Sequence, residues 1–292
     1  MNFWRHVGSD SGMKRLLVLL ITALGLLAGC ATLDEKQRQW IFQPSDRSWS
    51  RGAEAATGMA DVWIDFESLE TGQPVKLHGL WAPHADFERR ADAPILLYLH
   101  GARWNVTGSA FRMQRMQELG FSVLGIDYRG FGKSTADLPS EAMAYEDARA
   151  AWDWLGQTYP GRPRYIFGHS LGGAIAIDLA ARVKDEAGTL VEGTFTSIPD
   201  VVSSFKWGWL PVSPLITQRF EAVQRVANIG SPLLVVHGSD DRLIPPALGQ
   251  RLFEAATGKK AFVLVEGGSH HNTNAVGQAQ YRVAIANLFG LR

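Results

Sequence analysis

Three sets of residues in this chain have the types needed to activate a hydroxyl, and they occur in an informative order. The first is Ser170, in Gly168-His169-Ser170-Leu171-Gly172. It follows the apolar run Tyr165-Ile166-Phe167 and precedes the small-residue helical stretch Ala174 to Val183. Strand, turn and helix in that order are what a nucleophile elbow requires, with Gly two positions either side of the Ser so that the strand and helix backbones can pass closely. A serine hydroxyl is a poor nucleophile at neutral pH, so it needs a base within hydrogen-bond reach, an acid to orient that base, and donors for the oxyanion. Adjacent carboxylates at Asp240 and Asp241 follow the apolar run Leu233 to Val236, and adjacent imidazoles at His270 and His271 follow Phe262 to Val265. Residue chemistry leaves both pairs open. The amide of Leu171, directly after the nucleophile, is one expected oxyanion donor, and a second should come from the loop after the third strand.

The elements that must position these residues are legible in the same pass. Asp61 onwards alternates short apolar runs with helical stretches. Val62 to Phe66 and Val75 to Trp81 are separated by the turn-forming Glu70-Thr71-Gly72-Gln73, which predicts a hairpin. Ile95 to Leu99 is continuously apolar, as a strand buried on both faces should be, and Phe121 to Ile126, Tyr165 to Phe167, Leu233 to Val236 and Phe262 to Val265 repeat the type. Helices are expected at 107–119, 141–158, 171–184, 246–256 and 275–289. The alternation predicts an α/β fold with one mostly parallel sheet of about eight strands, covered by helices on both faces. Residues 198–230, with Trp207, Trp209, Pro211 and Pro214, break the rhythm. They read either as a short cap-like insertion after the sixth strand or as ordinary packing of a connecting helix.

Composition narrows the function classes. A chain of 292 residues that is 46% hydrophobic can bury a substantial core. Lys and Arg balance Asp and Glu at 29 each, with no long run of one sign, which gives no basis for a nucleic-acid partner. No cluster of His, Cys, Asp and Glu has metal-ligand spacing, and no cofactor motif is present, so neither metal nor organic cofactor is expected.

The N-terminus carries a second signal. Met13-Lys14-Arg15 forms a short basic region, and Leu16 to Ala28 is almost wholly apolar but too short to span a bilayer, which takes roughly 20 residues. Leu27-Ala28-Gly29-Cys30 resembles the lipobox of bacterial lipoprotein precursors, and Cys30 is the sole cysteine. The resemblance implies cleavage before Cys30, lipidation of its thiol, and a cell-envelope protein held to a membrane by its N-terminal lipid. Ala31, where an Asp would favour the inner membrane, points to the periplasmic face of the outer membrane. The expected organisation is a signal peptide over 1–29, with 1–12 as a start-site extension, a lipidated Cys and polar tether over 30–60, and one domain over 61–292.

The motifs jointly resemble the serine aminopeptidase-like, Bem46-type branch of the α/β-hydrolases. His237-Gly238-Ser239-Asp240-Asp241-Arg242-Leu243-Ile244-Pro245 is similar to the family's acid segment, in a register that selects Asp241. Glu266-Gly267-Gly268-Ser269-His270 is similar to its base segment and selects His270, with His271 as an inserted residue. His100-Gly101-Ala102-Arg103 resembles the H-G-x loop and implies Ala102 as the second oxyanion donor, with Arg103 a departure. Asp127-Tyr128-Arg129-Gly130-Phe131-Gly132-Lys133-Ser134 resembles a loop that is structural in the family, and Thr194 to Asp200 also matches the branch. The implied activity is a serine hydrolase acting on a small acyl ester or thioester. A peptidase of the same fold and a non-catalytic binding protein that kept the fold are the alternatives. Of the other histidines, His78 and His84 are expected to be exposed, and His169 and His237 to pack or satisfy backbone groups.

Overall fold

The computed structural model describes residues 10–44, 50–205 and 208–291. Trp207 and most of the start-site extension therefore lie outside the described residues. In chain order the elements are α1 (Asp10–Phe42), α2 (Ser50–Ala55), β1 (Ala60–Glu67), β2 (Pro74–Ala82), β3 (Ile95–Leu99), α3 (Ala110–Gln117), β4 (Ser122–Ile126), α4 (Glu141–Thr158), β5 (Arg164–His169) and α5 (Leu171–Arg182). There follow β6 (Glu186–Glu192), α6 (Ile198–Ser204), α7 (Ala222–Arg225), β7 (Leu233–Gly238), α8 (Pro246–Ala255), β8 (Lys260–Val265), α9 (Thr273–Val276) and α10 (Gln278–Phe289).

The strands form one eight-stranded sheet in the order β1-β2-β4-β3-β5-β6-β7-β8. The predicted hairpin puts β1 and β2 antiparallel at one edge, and from β4 onward the neighbours run parallel. Helices α4, α5 and α8 press one apolar layer against the sheet, including Trp152, Ile175 and Leu252, while α3 and α10 press the other with Met113, Met116, Tyr281 and Ile285. Both faces are thus covered, which is why the central strands read as unbroken apolar runs. The α/β fold expected from the alternation is the one observed.

Two expectations differ from the structure, and one strand carried no run to mark it. That strand, β6, has no long apolar run, because Glu186, Gly188, Thr189 and Glu192 interrupt it; Glu192 is nonetheless fully buried. His78, expected at the surface, is buried, with Nδ1 3.1 Å from Asp127 Oδ2 and Nε2 2.6 Å from Asp61 Oδ1. Residues 31–42 are not a loose tether but the last turns of α1, and they dock: Phe42 is fully buried, and Gln37 donates through Nε2 to the carbonyl of Leu215 at 2.7 Å. Burial of a large aromatic side chain is worth about 2–3 kcal/mol, which a polar composition conceals when a single Phe supplies it. Among the described residues no helix is long and apolar enough to cross a membrane.

The loop resembling the family's structural motif links the sheet to α4: on the sheet side Ser134 Oγ accepts from the His78 amide at 2.9 Å and Thr135 Oγ1 from that of Lys76 at 2.8 Å. Arg129 is buried and donates from its backbone amide and Nε to the two oxygens of Asp147, each at 2.8 Å, and from Nη2 to Glu146 at 2.6 Å. Its planar fork suits this multiple pairing, and each charge it buries is compensated.

Candidate active site

Parallel sheets bring the carboxyl ends of their strands to one edge, and ligands of open α/β sheets bind there. Here β3, β5, β7 and β8 deliver His100 to Trp104, Ser170, Asp241 and His270 to that edge.

The turn between β5 and α5 puts Ser170 at φ 56°, ψ −122°. This left-handed conformation is costly for a residue with a Cβ, by about 1–3 kcal/mol, and it lifts the side chain clear of both elements. The flanking glycines are needed for space. A Cβ on Gly168 would lie 2.2 Å from the Gly172 carbonyl oxygen, and one on Gly172 would lie 2.1 Å from that of Leu99. The amide of Ser170 donates to the Glu192 carbonyl at 2.9 Å, and Thr194 Oγ1 donates to the Ser170 carbonyl at 2.8 Å. These two bonds tie the elbow to the end of β6.

Ser170 Oγ lies 2.9 Å from His270 Nε2, and His270 Nδ1 lies 2.8 Å from Asp241 Oδ2. The second carboxylate oxygen, Oδ1, accepts from the amides of Leu243 at 3.0 Å and Ile244 at 2.8 Å. Burial pushes the Asp241 carboxyl up, but hydrogen bonds from His237 and His270 and the Ile244 amide outweigh it and hold it far below the usual carboxylate range. An anionic acceptor at Oδ2 fixes the proton of His270 on Nδ1 and leaves Nε2 free to accept. Asp240, by contrast, is exposed, and Ser239 Oγ donates to it at 3.1 Å. His271 is exposed too; its ring lies 6.3 Å from that of Trp104 and edge-on to that of His270 at 5.3 Å, and the bonds to Ser170 and Asp241 are made by His270. The structure brings together the acid and base that the motif registers select.

The loop after β3 lies against the elbow: a Cβ on Gly101 would stand 3.0 Å from Ser170 Cβ. Ala102 follows Gly101 in that loop, and Leu171 is the first residue of α5, whose N-terminus carries unpaired N–H groups and a positive partial charge. His100 fixes the loop from inside by donating from Nδ1 to the Gly101 carbonyl at 2.7 Å.

Sequence reasoning missed the support behind His270. Arg112, on α3, is buried, with Nε donating to Glu192 Oε1 at 3.1 Å and Nη2 donating to the carbonyl of His271 at 3.0 Å. Burial disfavours the guanidinium charge, but Glu192 more than restores it, so its pKa rises. His169 Nε2 donates to the His270 carbonyl at 2.9 Å; burial, then the charge of Arg112, keeps this imidazole neutral. Tyr281 closes the set by donating to Glu192. The signal available in advance was a Glu directly after the apolar pair Leu190-Val191 and an Arg among the apolar positions of α3. Gly193 was also missed: its α-carbon abuts the Asp241–His270 pair, where an added Cβ would lie 3.4 Å from both Asp241 Oδ2 and His270 Nδ1. His237, as expected, satisfies a backbone group, with Nε2 2.9 Å from the Ile244 carbonyl.

Comparison with known proteins agrees with this architecture. The family model described as serine aminopeptidase, S33, matches residues 91–222. An uncharacterised protein of Mycobacterium tuberculosis (strain H37Rv) is 31% identical over 266 residues, covering 89% of this chain and 90% of the relative. The lysophosphatidylserine lipase of Danio rerio is 32% identical over 187 residues, 58% of this chain and 48% of that protein, so the chain spans about half the length of that relative. Among solved structures, the Pyrococcus furiosus esterase Pf2001 superposes with a TM-score of 0.65 at 18% identity over 85% of this chain and 96% of that one. A puromycin-hydrolysing peptidase of Mycobacterium tuberculosis gives 0.63 at 18% identity over 80% and 40%.

Proposed function

Because the chain belongs to the α/β-hydrolase superfamily, and so is a hydrolase by kinship, we propose that it cleaves carboxylic esters or thioesters through an acyl-enzyme on Ser170. The observation that carries this reading is the unbroken chain of hydrogen bonds from Ser170 Oγ through His270 to Asp241. His270 takes the serine proton as Oγ attacks the carbonyl carbon, and returns it to the leaving alcohol or thiol. Asp241 keeps the imidazole in the right tautomer and stabilises its cation. The amides of Ala102 and Leu171 receive the charge that develops on the carbonyl oxygen. Water, activated by the same histidine, then releases the acid. The esterase and lipase among its relatives and neighbours support the ester over the amide, while the matched family's description keeps the peptidase reading as the second.

The proposed location is the cell envelope, with a lipid on Cys30. Cys30 is exposed, and cleavage before it would leave the docked turns of α1 untouched. An acyl chain alone holds marginally, whereas several on one residue hold stably.

The test is activity against acyl esters of graded chain length, matched thioesters and aminoacyl amides, with Ser170→Ala as control. Ester or thioester turnover that vanishes in Ser170→Ala, together with loss of fluorophosphonate labelling, is expected. Turnover confined to the amides would replace the reading with the peptidase one, and labelling that survives in Ser170→Ala would remove the nucleophile. Incorporation of labelled palmitate that is lost in Cys30→Ser tests the anchor separately.

A further inference from the structure

The end of α1 reaches the same loop that supplies the Ala102 amide, and it does so by two routes. Through the backbone, the Phe42 carbonyl accepts the amide of Arg103 at 2.8 Å, and Pro44 forms a parallel bridge with Trp104. Through side chains, the buried Phe42 ring meets Phe131 edge-on at 6.4 Å, and Phe131 meets the His100 ring at 5.0 Å. His100 in turn holds the Gly101 carbonyl. Both routes converge on residues 100–104.

That loop needs holding. Arg103 and Trp104 have φ of 70° and 57°, two successive side-chain-bearing residues in the left-handed region, which residues with a Cβ rarely adopt. A strained pair persists only where its surroundings over-determine it. The supporting segment is itself fixed at several points. Asp34 Oδ1 accepts from Thr217 Oγ1 at 2.7 Å and Gln218 Nε2 at 2.8 Å, Gln37 Oε1 accepts from the Thr217 amide at 2.9 Å, and Arg38 Nε donates to the Pro139 carbonyl at 3.0 Å. Phe220, from the same 198–230 segment as Thr217 and Gln218, meets the Phe42 ring edge-on at 5.8 Å.

We infer that Phe42 is a positioning residue for the reaction, and that residues 34–44 form a strut holding the 101–104 loop where the Ala102 amide faces a developing oxyanion. The inference rests on the proposed role of that amide. An oxyanion donor acts in the transition state and contributes little to substrate binding. Loss of the strut should therefore reduce kcat and leave KM in place, and should weaken a trifluoromethyl ketone, whose adduct with serine carries the oxyanion, by the same factor.

The experiment compares the full chain with its Phe42→Ala and Phe42→Leu variants, measuring kcat and KM on a short-chain p-nitrophenyl ester, trifluoromethyl ketone inhibition and thermal unfolding. Removing one oxyanion donor outright costs about 10²–10³-fold in kcat, so a displaced donor in Phe42→Ala should cost about 10–100-fold, matched in ketone affinity, with KM within about 2-fold and Phe42→Leu recovering most of both. If kcat and ketone affinity hold while the unfolding temperature falls, Phe42 is packing alone and the inference is wrong. A raised KM with kcat unchanged overturns it equally, since that marks a substrate contact. Should Phe42→Ala not fold, the Asp34→Ala/Gln37→Ala double variant, which frees the strut from Thr217 and Gln218, must show the same paired loss in smaller measure; no change in a folded double variant refutes the strut. A parent chain that neither turns over esters nor binds the ketone would instead overturn the proposed function.

Discussion

Arg112 and His270 are joined through the main chain: one guanidinium nitrogen lies 3.4 Å from the carbonyl oxygen of His270 and 3.0 Å from that of His271, while its neighbour pairs with the buried Glu192. His270 is therefore held from behind as well as through its ring. Arg112→Met should destabilise the fold by about 3–5 kcal/mol, because it strands Glu192 as an unpaired buried charge. Arg112→Met with Glu192→Gln removes both charges and keeps an acceptor for Tyr281. That pair of changes should restore most of the unfolding temperature but leave kcat reduced by about 10-fold. Thermal unfolding and single-turnover acylation, run side by side, separate the two effects; full recovery of kcat would show that the clamp serves stability alone.

The adjacent carboxylates should behave very differently. Asp241→Asn removes the anion that sets the tautomer of His270, and kcat should fall by about 10⁴-fold, as in serine hydrolases whose buried acid is so changed. Asp240→Asn changes an exposed group and should leave kcat within about 2-fold. His271→Gln belongs with Asp240→Asn. Steady-state kinetics on the three variants decides the register, and a large loss in Asp240→Asn would reassign the acid.

Ser170→Gly should unfold at a higher temperature than the parent while being inactive. The left-handed backbone at position 170 strains a seryl residue, and glycine releases about 1 kcal/mol or more of that strain. Calorimetry checks the sign. An unfolding temperature below the parent's would mean that the serine side chain contributes more by its contacts than its backbone costs.

The buried His78 predicts a pH dependence of stability separate from catalysis. Burial works against its charge, but hydrogen bonds to Asp127 and Asp61 outweigh this and raise its pKa. A group whose folded pKa exceeds its unfolded value, about 6.5 for histidine, contributes stability that is fully present below that value and is lost as pH rises through the folded pKa. The unfolding temperature should therefore decline above about pH 6.5, and His78→Gln should flatten that limb. A limb unchanged in His78→Gln assigns the dependence elsewhere.

Local chemistry made the catalytic edge readable. Ser170 lies between glycines that only a tight crossing demands, and Asp241 and His270 follow strands whose apolar runs announce burial. What remained hidden was held by long-range pairing. Glu192 and Arg112 are polar letters that become interior only because each finds the other across 80 positions. The docked end of α1 was hidden for a related reason: Asp34, Gln37 and Arg38 read as solvent-facing, and their partners at 138–139 and 215–218 come from distant parts of the chain. His78 was misplaced because its acceptors, Asp61 and Asp127, come from a hairpin partner and a crossover loop.

The docking of α1 would also limit the distance between the folded body and a lipid carried on Cys30. Were Cys30 to carry lipid, it would lie only four positions before Asp34, whose side chain is bonded to Thr217 and Gln218. Even fully extended, four residues reach only about 14 Å. Such a protein would not drift on a long leash through the aqueous space. Its body would be held within that distance of the bilayer surface.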